Sequence, residues 1–447
     1  MPSKIVITYG TYDMLHIGHI NLLRRAKALG NYLIVGVTSE DYDRSRGKLN
    51  VFENTKKRVE AIKKLDFVDK VIIETHKNQK AQDIQKYNVD IFAIGDDWIG
   101  KFDYLKKYTD VVYIPRTEGI SSTQLRANKF KTINIGIVGI NNDSKRFLKE
   151  LHHVPHIEAI SICDTQLSKV KFFIKKNHIE YGYDNYKKFL NSPIDAIYIA
   201  SYIKNHYTQI KLALESNKHV LCENPLVVNE KELEKLFQLA KKKKKLLLIA
   251  LKTAFIPAFD QLLKELKGGA IGEIKEVRAN FTKLYKEHDY TKEFYEQGAT
   301  NILLNYPSLL IHKILKKSKH ITFFDQKEKN YDISNRIITT HKKKTIGIAT
   351  VGIGIKLESD AIIAGTKGYI YIPAPWWLTK EFHIRFENEH KSYSFNYEFE
   401  GDGLRYMISE FSSLIHRGKI KSKRLTQKEM IEMNKIIVTY NKTKKGK

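Results

Sequence analysis

Two histidines three residues apart, His16 and His19, stand in the stretch Tyr9-Gly10-Thr11-Tyr12-Asp13-Met14-Leu15-His16-Ile17-Gly18-His19. A short apolar run (Lys4–Thr8) precedes this stretch and a helical one follows it. On a helical first turn the spacing puts both imidazoles on one face. A helix N-terminus offers unbonded N–H groups and a positive dipole to a phosphate. Imidazoles placed there can donate hydrogen bonds to charge developing on a phosphoryl group. Gly10 lets the backbone turn sharply at the carboxyl end of a strand, where doubly wound sheets bind ligands. An isolated H-x-G-H string is as often incidental as functional. Its place on a strand–turn–helix junction favours phosphoryl chemistry, which needs little beyond positioning and charge neutralisation.

A second junction of the same kind lies further on. The buried-strand run Ile133–Val138 leads into Gly139-Ile140-Asn141-Asn142-Asp143-Ser144, the place of a G-x-G-x-x-G turn of which only the first glycine is present. Without the second glycine, backbone approach to a pyrophosphate is restricted. Asp164, ending the next strand run (Ile157–Cys163), is placed to accept from an adenosine ribose, which favours NAD over NADP.

The elements that must hold these residues form two α/β patterns in succession. In the first, Lys4–Thr8, Tyr32–Val37, Val71–Ile73, Ile91–Ile94 and Val111–Ile114 are β-branched runs, with helical stretches such as Ile20–Ala28 and Ala81–Tyr87 between them. Alternation of this kind predicts a parallel sheet with helices on both faces. The second pattern runs through Ala196–Ala200 and His219–Cys222 to about Leu248. From Ile274 the texture changes to longer alternating strands (Glu276–Thr282, Thr345–Ile355, Ala361–Ile372 and Phe382–Phe386), which predict an α+β domain on an open, mostly antiparallel sheet. The expected division is therefore 1–127, 132–250 and 251–447, with a short basic linker at Ala127–Thr132.

A chain of 447 residues is long enough for two or three cores. No apolar run approaches the roughly 20 residues of a membrane helix, and no signal peptide precedes the first strand, so a cytoplasmic protein without membrane insertion is expected. Cys163 and Cys222 each lie inside an apolar run, which suits a reducing compartment and argues against a zinc site. Net charge is +27, yet the lysines are spread along the chain and not interleaved with aromatics in a stripe. A solvated basic surface that favours small anionic substrates is expected, not nucleic-acid binding.

Residues 4–126 resemble the nucleotidyltransferases with an H-x-G-H signature, and within them the glycerol-3-phosphate cytidylyltransferases. The matching stretches are ITYGTYDMLHIGH, IGDDWIGKFDYLK at 94–106 and YIPRTEGISSTQLR at 113–126. The resemblance implies a Rossmann-like fold, CTP with Mg²⁺, pyrophosphate release and a dimer. It implies that Thr11, His16 and His19, with Arg116, Thr117 and Ser121, grip the triphosphate and stabilise the transition state. Tyr9, Gly10 and Asp97 would lie along the nucleotide, and Arg46 and Lys48 would be loop cations for its phosphates. Asp13, Arg58 and Lys80 fall where the family binds its acceptor or metal. Asp66 stands where the glycerol phosphate enzymes carry an arginine, so a longer acceptor than glycerol 3-phosphate is expected.

Residues 133–440 resemble the glucose–fructose oxidoreductase and inositol dehydrogenase family. The supporting stretches are IDAIYIASYIKNHYTQIKLALESNKHVLCENPLV (194–227), GAIGEIKEVRANF (269–281) and IIAGTKGYIYIPAPWW (362–377). This implies an NAD(P)-dependent hydride transfer at a sugar or polyol carbon, with Gly139, Asn141, Asp164, His206, Glu223 and Asn224 at the cofactor. The family's Glu-Lys-Pro reads Glu223-Asn224-Pro225 here, so its substrate-polarising lysine is missing. Ile302 replaces an expected aspartate, and Tyr306 or His312 is left to supply a proton. The whole chain then reads as a bifunctional enzyme of CDP-polyol supply for capsule or cell-wall polymers. The alternative is a cytidylyltransferase with a non-catalytic second half.

Overall fold

The computed structural model describes residues 4–445 except 47, 50, 77, 116–130, 228, 285–296 and 398–400. The chain divides into two compact units, Met1–Lys131 and Thr132–Lys447.

The first unit is a five-stranded parallel sheet in the order β3-β2-β1-β4-β5. Its strands are β1 (Ile5–Gly10), β2 (Tyr32–Thr38), β3 (Lys70–Glu74), β4 (Ile91–Gly95) and β5 (Asp110–Ile114). Between them run α1 (Ile17–Lys27), α2 (Glu40–Ser45), α3 (Thr55–Lys63) and α4 (Gln79–Lys86). Val6, Leu33, Val35 and Ala93 point to one face and bury Leu23, Ala26 and Ile62. Ile7, Ile34 and Phe92 point to the other, against Ile84 and Leu105. Burial on both faces is why these strands read as continuous apolar runs and not as alternation. After β3 at one edge the chain returns to β4 beside β1, so a crevice opens at the carboxyl ends of β1 and β4.

The second unit joins two sheets. The first is parallel, in the order β11-β10-β9-β6-β7-β8, from β6 (Ile133–Val138), β7 (Ile157–Cys163), β8 (Tyr181–Tyr183), β9 (Ala196–Ile199), β10 (His219–Cys222) and β11 (Leu247–Ile249). The second has the order β13-β14-β15-β12-β16-β17-β18-β19. It comprises β12 (Ile274–Thr282), β13 (His320–Glu328), β14 (Tyr331–Thr340), β15 (Ile346–Gly352), β16 (Ala361–Gly365), β17 (Tyr369–Ile372), β18 (Glu381–Arg385) and β19 (Tyr393–Asn396). Every pairing in it is antiparallel except β12 with β15. The run Ala361–Ile372, read from sequence as one strand, is a hairpin. Gly365 N–H donates to Gly368 O at 2.9 Å and closes the turn, which pairs Ala361 with Ile372.

The C-terminal half is tied to the parallel sheet by helix Leu404–His416, which packs on helix Asn142–Leu151. Arg405 grips the buried Glu150 carboxylate through two bonds of 2.9 and 3.2 Å. Cys163 and Cys222 are both buried free thiols. No helix among the described residues is long and apolar enough to cross a membrane.

Candidate active sites

In the first unit, Tyr9, Gly10, Thr11, Asp13, His16, His19, Arg46, Lys48, Lys80 and Asp97 all lie at or just beyond the carboxyl ends of the strands. Gly10 is needed for space more than for a turn, because a Cβ there would meet the Tyr12 ring at 2.8 Å. The turn itself uses positive φ at Tyr12 (50°) and Met14 (52°). His16 is the N-cap of α1, its Nδ1 accepting from Gly18 N–H at 3.2 Å. That bond leaves Nε2 as the nitrogen carrying the proton of a neutral ring. The His16 and His19 rings are stacked with centroids 3.8 Å apart, so both imidazoles present one edge of the helix start.

At the same end of the sheet, around Thr11, is a charge cluster centred on Asp43, which no sequence motif marks. Asp43 is fully buried. Its Oδ1 accepts from Thr11 Oγ1 at 2.9 Å and from Arg46 Nη2 at 2.7 Å, while Arg58 lies 3.5 Å from its Oδ2. Lys48 in turn donates to Thr11 Oγ1 at 2.8 Å. Burial pushes the Asp43 carboxyl above the ordinary carboxylate range, and Lys48, Arg46 and Arg58 pull against that rise.

Three residues expected at the acceptor are placed differently from one another. Asp13 is buried and accepts from Phe52 N–H (3.0 Å) and Glu53 N–H (2.8 Å), so it pins the segment leading to α3. Arg58 has no exposed surface, and its guanidinium donates to the carbonyls of Thr11 (2.5 Å), Thr38 (2.8 Å) and Glu53 (2.9 Å). Lys80 is buried against Glu74, which also accepts from Thr38 Oγ1 at 2.9 Å. The Lys80 ammonium lies 4.8 Å from the Tyr9 ring centroid and 5.5 Å from that of Phe102. Burial lowers its pKa and Glu74 opposes the fall. Asp97 is exposed just after β4. Arg116, Thr117 and Ser121 lie outside the described residues.

The expectation built on Asp66 needs correction. Asp66 is in the loop before β3, beside the start of β2, where Asp69 N–H donates to Leu33 O at 3.1 Å. These are the amino ends of the strands, opposite the histidines. Within one chain Asp66 therefore cannot repel an acceptor, and glycerol 3-phosphate returns to the candidates.

In the second unit one cavity of about 1430 Å³ runs along the carboxyl ends of the parallel sheet. Gly139 has φ +91°, and a Cβ there would meet Ala200 O at 2.9 Å, so the one glycine retained is the one the backbone requires. Asn141 replaces the second by capping the next helix. Its Oδ1 accepts from Asp143 and Ser144 N–H (2.9 and 3.0 Å), and Ser144 Oγ accepts from Asn141 N–H at 2.9 Å. Asp164 accepts from Ile140 N–H at 2.8 Å and Gln166 N–H at 3.1 Å, bracing the turn. His206 is buried between Ser201 O (2.8 Å) and Pro225 O (2.9 Å), joining the loops after β9 and β10, and burial lowers its pKa. Tyr198 donates to Glu223, whose carboxyl is raised above the ordinary range by burial and by Asp143.

Asn224 lines the cavity, and its Oδ1 is buried with no hydrogen-bond partner among the described residues. Tyr306 lines it too, edge-on to Phe281 (5.1 Å), which stacks on Trp377 (3.7 Å). His312 does not. Six residues further along the same helix, it faces Glu429 and Glu432 and is withdrawn from the proton-donor role. Sequence reasoning also missed Lys252, which lines the cavity from beyond β11.

Comparison with known proteins agrees with this division. Residues 7–128 match the family described as cytidylyltransferase-like, and residues 133–251 match the oxidoreductase family with an NAD-binding Rossmann fold. Glycerol-3-phosphate cytidylyltransferase of Bacillus spizizenii is 50% identical over 125 residues, covering 28% of this chain and 95% of that protein. Trans-1,2-dihydrobenzene-1,2-diol dehydrogenase of Xenopus tropicalis is 25% identical over 289 residues, covering 62% of this chain and 87% of its own. A 3-ketoreductase from Actinomadura kijaniata superposes with a TM-score of 0.62 at 20% identity, over 69% of this chain and 96% of that one, a likeness of fold. By its first 125 or so residues the chain belongs to the cytidylyltransferase-like family, a nucleotidyltransferase fused to an oxidoreductase-family unit with an NAD-binding Rossmann fold.

Proposed function

We propose that the first unit transfers a cytidylyl group from CTP to a small phosphorylated polyol, and that the second reduces a related ketose with NAD(P)H, within CDP-polyol supply for capsule or cell-wall polymers. The observation that carries the first half is the pair of stacked imidazoles at the start of α1, at the same carboxyl end of the strands as Thr11, Arg46 and Lys48. CTP comes with Mg²⁺ on its phosphates, a hard cation that needs few protein ligands. Among the described residues no cluster of three His, Cys, Asp or Glu side chains could hold a resident metal.

An acceptor phosphate oxygen attacks the α-phosphorus in line. The new P–O bond forms as the bond to the β-phosphate bridging oxygen breaks, and pyrophosphate leaves without a covalent enzyme intermediate. His16 and His19 donate to the oxygens that gain charge. Arg46 and Lys48 neutralise the phosphates, and Arg116, Thr117 and Ser121 complete the grip. Asp97 lies along the nucleotide beside Tyr9 and Gly10. Asp13, Arg58 and Lys80 act at the acceptor side, Arg58 by holding the Thr11 carbonyl and Asp43 in place.

In the second unit the Gly139–Asn141 turn and Asp164 would hold the dinucleotide, with the Asn224 oxygen, unpartnered among the described residues, open to a ligand donor. Bound NAD(P)H supplies the hydride. Tyr306 provides the proton, and His206 holds the Asn224–Pro225 loop beside Glu223. We place the enzyme in the cytoplasm as a homodimer that binds no nucleic acid.

The test is pyrophosphate release from CTP with three- to six-carbon polyol and ketose phosphates, with and without NADH or NADPH. Cytidylyl transfer that no acceptor supports would refute the first half. Absence of calorimetric binding of either cofactor would leave the second unit a non-catalytic module, the reading that Asn224 in place of lysine favours.

A further inference from the structure

Lys252 opens the turn that follows β11, and Asn224 follows β10. β10 and β11 are adjacent and parallel, with Cys222 opposite Ile249 and Ala250 N–H donating to Cys222 O at 2.8 Å. Asn224 and Lys252 are thus neighbouring stations at the carboxyl ends of two strands, and both line the cavity that Tyr306 and Glu223 line.

Lys252 is buried, with 5% of the residue exposed. Its nearest acidic oxygen, Asp402 Oδ2, is 3.7 Å away and is shared with Arg146 at 4.0 Å. Among the described residues its ammonium makes no hydrogen bond, although it carries three donors. Lys313 shows how the same unit satisfies a half-buried lysine that only holds structure. It donates to Glu429 at 2.9 Å and to Arg424 O at 2.6 Å. The Lys252 ammonium opens onto the cavity, where a ligand oxygen can complete its shell. Burial lowers the Lys252 pKa, with Asp402 opposing.

We infer that Lys252 does from β11 what the lysine absent at position 224 would do from β10: it donates a hydrogen bond to the keto or hydroxyl oxygen of the sugar or polyol phosphate substrate. This rests on the reductase reading of the second unit. As the carbonyl carbon gains a hydride, with reduced nicotinamide as its source, the C=O π pair moves onto oxygen. That oxygen takes the phenolic proton of Tyr306, and Lys252 remains an ammonium throughout. The shorter Asn224 amide leaves the lysine's station open, and its Oδ1 is free to accept from a ligand hydroxyl or amide.

The full chain is tested as parent, as Lys252→Met and as the swap Lys252→Met/Asn224→Lys. Calorimetry reads NADH and NADPH affinity, and then the binding of glycerol 3-phosphate and ribitol 5-phosphate to the NADH-loaded protein. NADH oxidation is followed with dihydroxyacetone phosphate and ribulose 5-phosphate. For Lys252→Met we expect unchanged cofactor affinity, polyol phosphate binding weaker by roughly 10- to 100-fold, the worth of one charge-assisted hydrogen bond, and reduction slower by at least as much. The swap should recover a large part of both. Lys252→Met that binds polyol phosphate and reduces ketose like the parent overturns the role of Lys252 alone. Loss of cofactor affinity in Lys252→Met also overturns it, by making the lysine structural. A parent that binds neither cofactor removes the reductase reading and this inference with it.

Discussion

His16 carries two loads that one substitution can separate. Its Nδ1 caps α1 by accepting from Gly18 N–H, and in the proposed reaction its Nε2 donates to the triphosphate. His16→Ala removes both. Losing an N-cap acceptor costs about 1 kcal/mol, which for a unit of this size lowers its melting temperature by roughly 3–5 °C. Losing a donor made for the transition state costs about 2.7–4 kcal/mol, a fall of 10²–10³-fold in kcat. His16→Ser keeps an oxygen that accepts from the same N–H but is too short to replace the imidazole at a phosphoryl oxygen. Its melting temperature should therefore stay near the parent's while kcat falls as far as in the alanine variant. The assay is continuous pyrophosphate release at saturating CTP and acceptor, beside a thermal melt of each variant. If His16→Ser turns over within threefold of the parent, the histidine is only a cap and the transition-state role is wrong.

Three further outcomes are expected. Tyr306→Phe should lower NADH oxidation with a good ketose phosphate by roughly 10²-fold with cytidylyl transfer unchanged; an equal rate would mean another proton donor. Arg58→Met leaves the buried Asp43 without its enclosed partner and should destabilise the first unit by about 3–5 kcal/mol. This is read from the urea midpoint of CTP-dependent activity, and an unmoved midpoint contradicts it. His219, whose Nδ1 accepts from Leu246 N–H at 3.0 Å, is held down to about 4 by burial and then by Lys245. The unfolded chain therefore binds the extra proton first. The His219 contribution to the stability of the second unit should be constant above pH 6.5 and fall by about 1.4 kcal/mol per unit as pH drops toward 4, on top of the contributions of the unit's other shifted groups. His219→Gln should make the slope shallower by that amount, and parallel slopes in the two proteins would refute the assignment.

The parallel sheets were legible because strands buried on both faces leave unbroken β-branched runs, and the helices between them carry an apolar stripe. The hairpin inside Ala361–Ile372 was not, since its turn residues sit within a run that stays apolar on both sides. The histidine junction was legible because its chemistry is local, with residues three apart on one helix turn. Asp43 and Lys252 were illegible for the opposite reason. A carboxylate that meets Thr11 from 32 residues away, and a lysine aligned with Asn224 only through strand pairing, acquire their meaning from the sheet. Asp66 misled because a motif position says which residue is present, not which end of a strand it occupies.

The Asp43 cluster also bears on how a turnover ends. Arg46 is paired with Asp43 at 2.7 Å, and Thr11 bridges Asp43 to Lys48. In the proposed reaction a triphosphate that recruits Arg46 competes with Asp43 for the guanidinium, so part of the attraction is spent on sharing one cation between two anions. The competition ends when pyrophosphate departs, and Asp43 then holds the guanidinium alone. An internal carboxylate of this kind weakens the hold on every polyanion alike. In the proposed reaction it shortens the residence of pyrophosphate as much as it lowers the affinity for CTP.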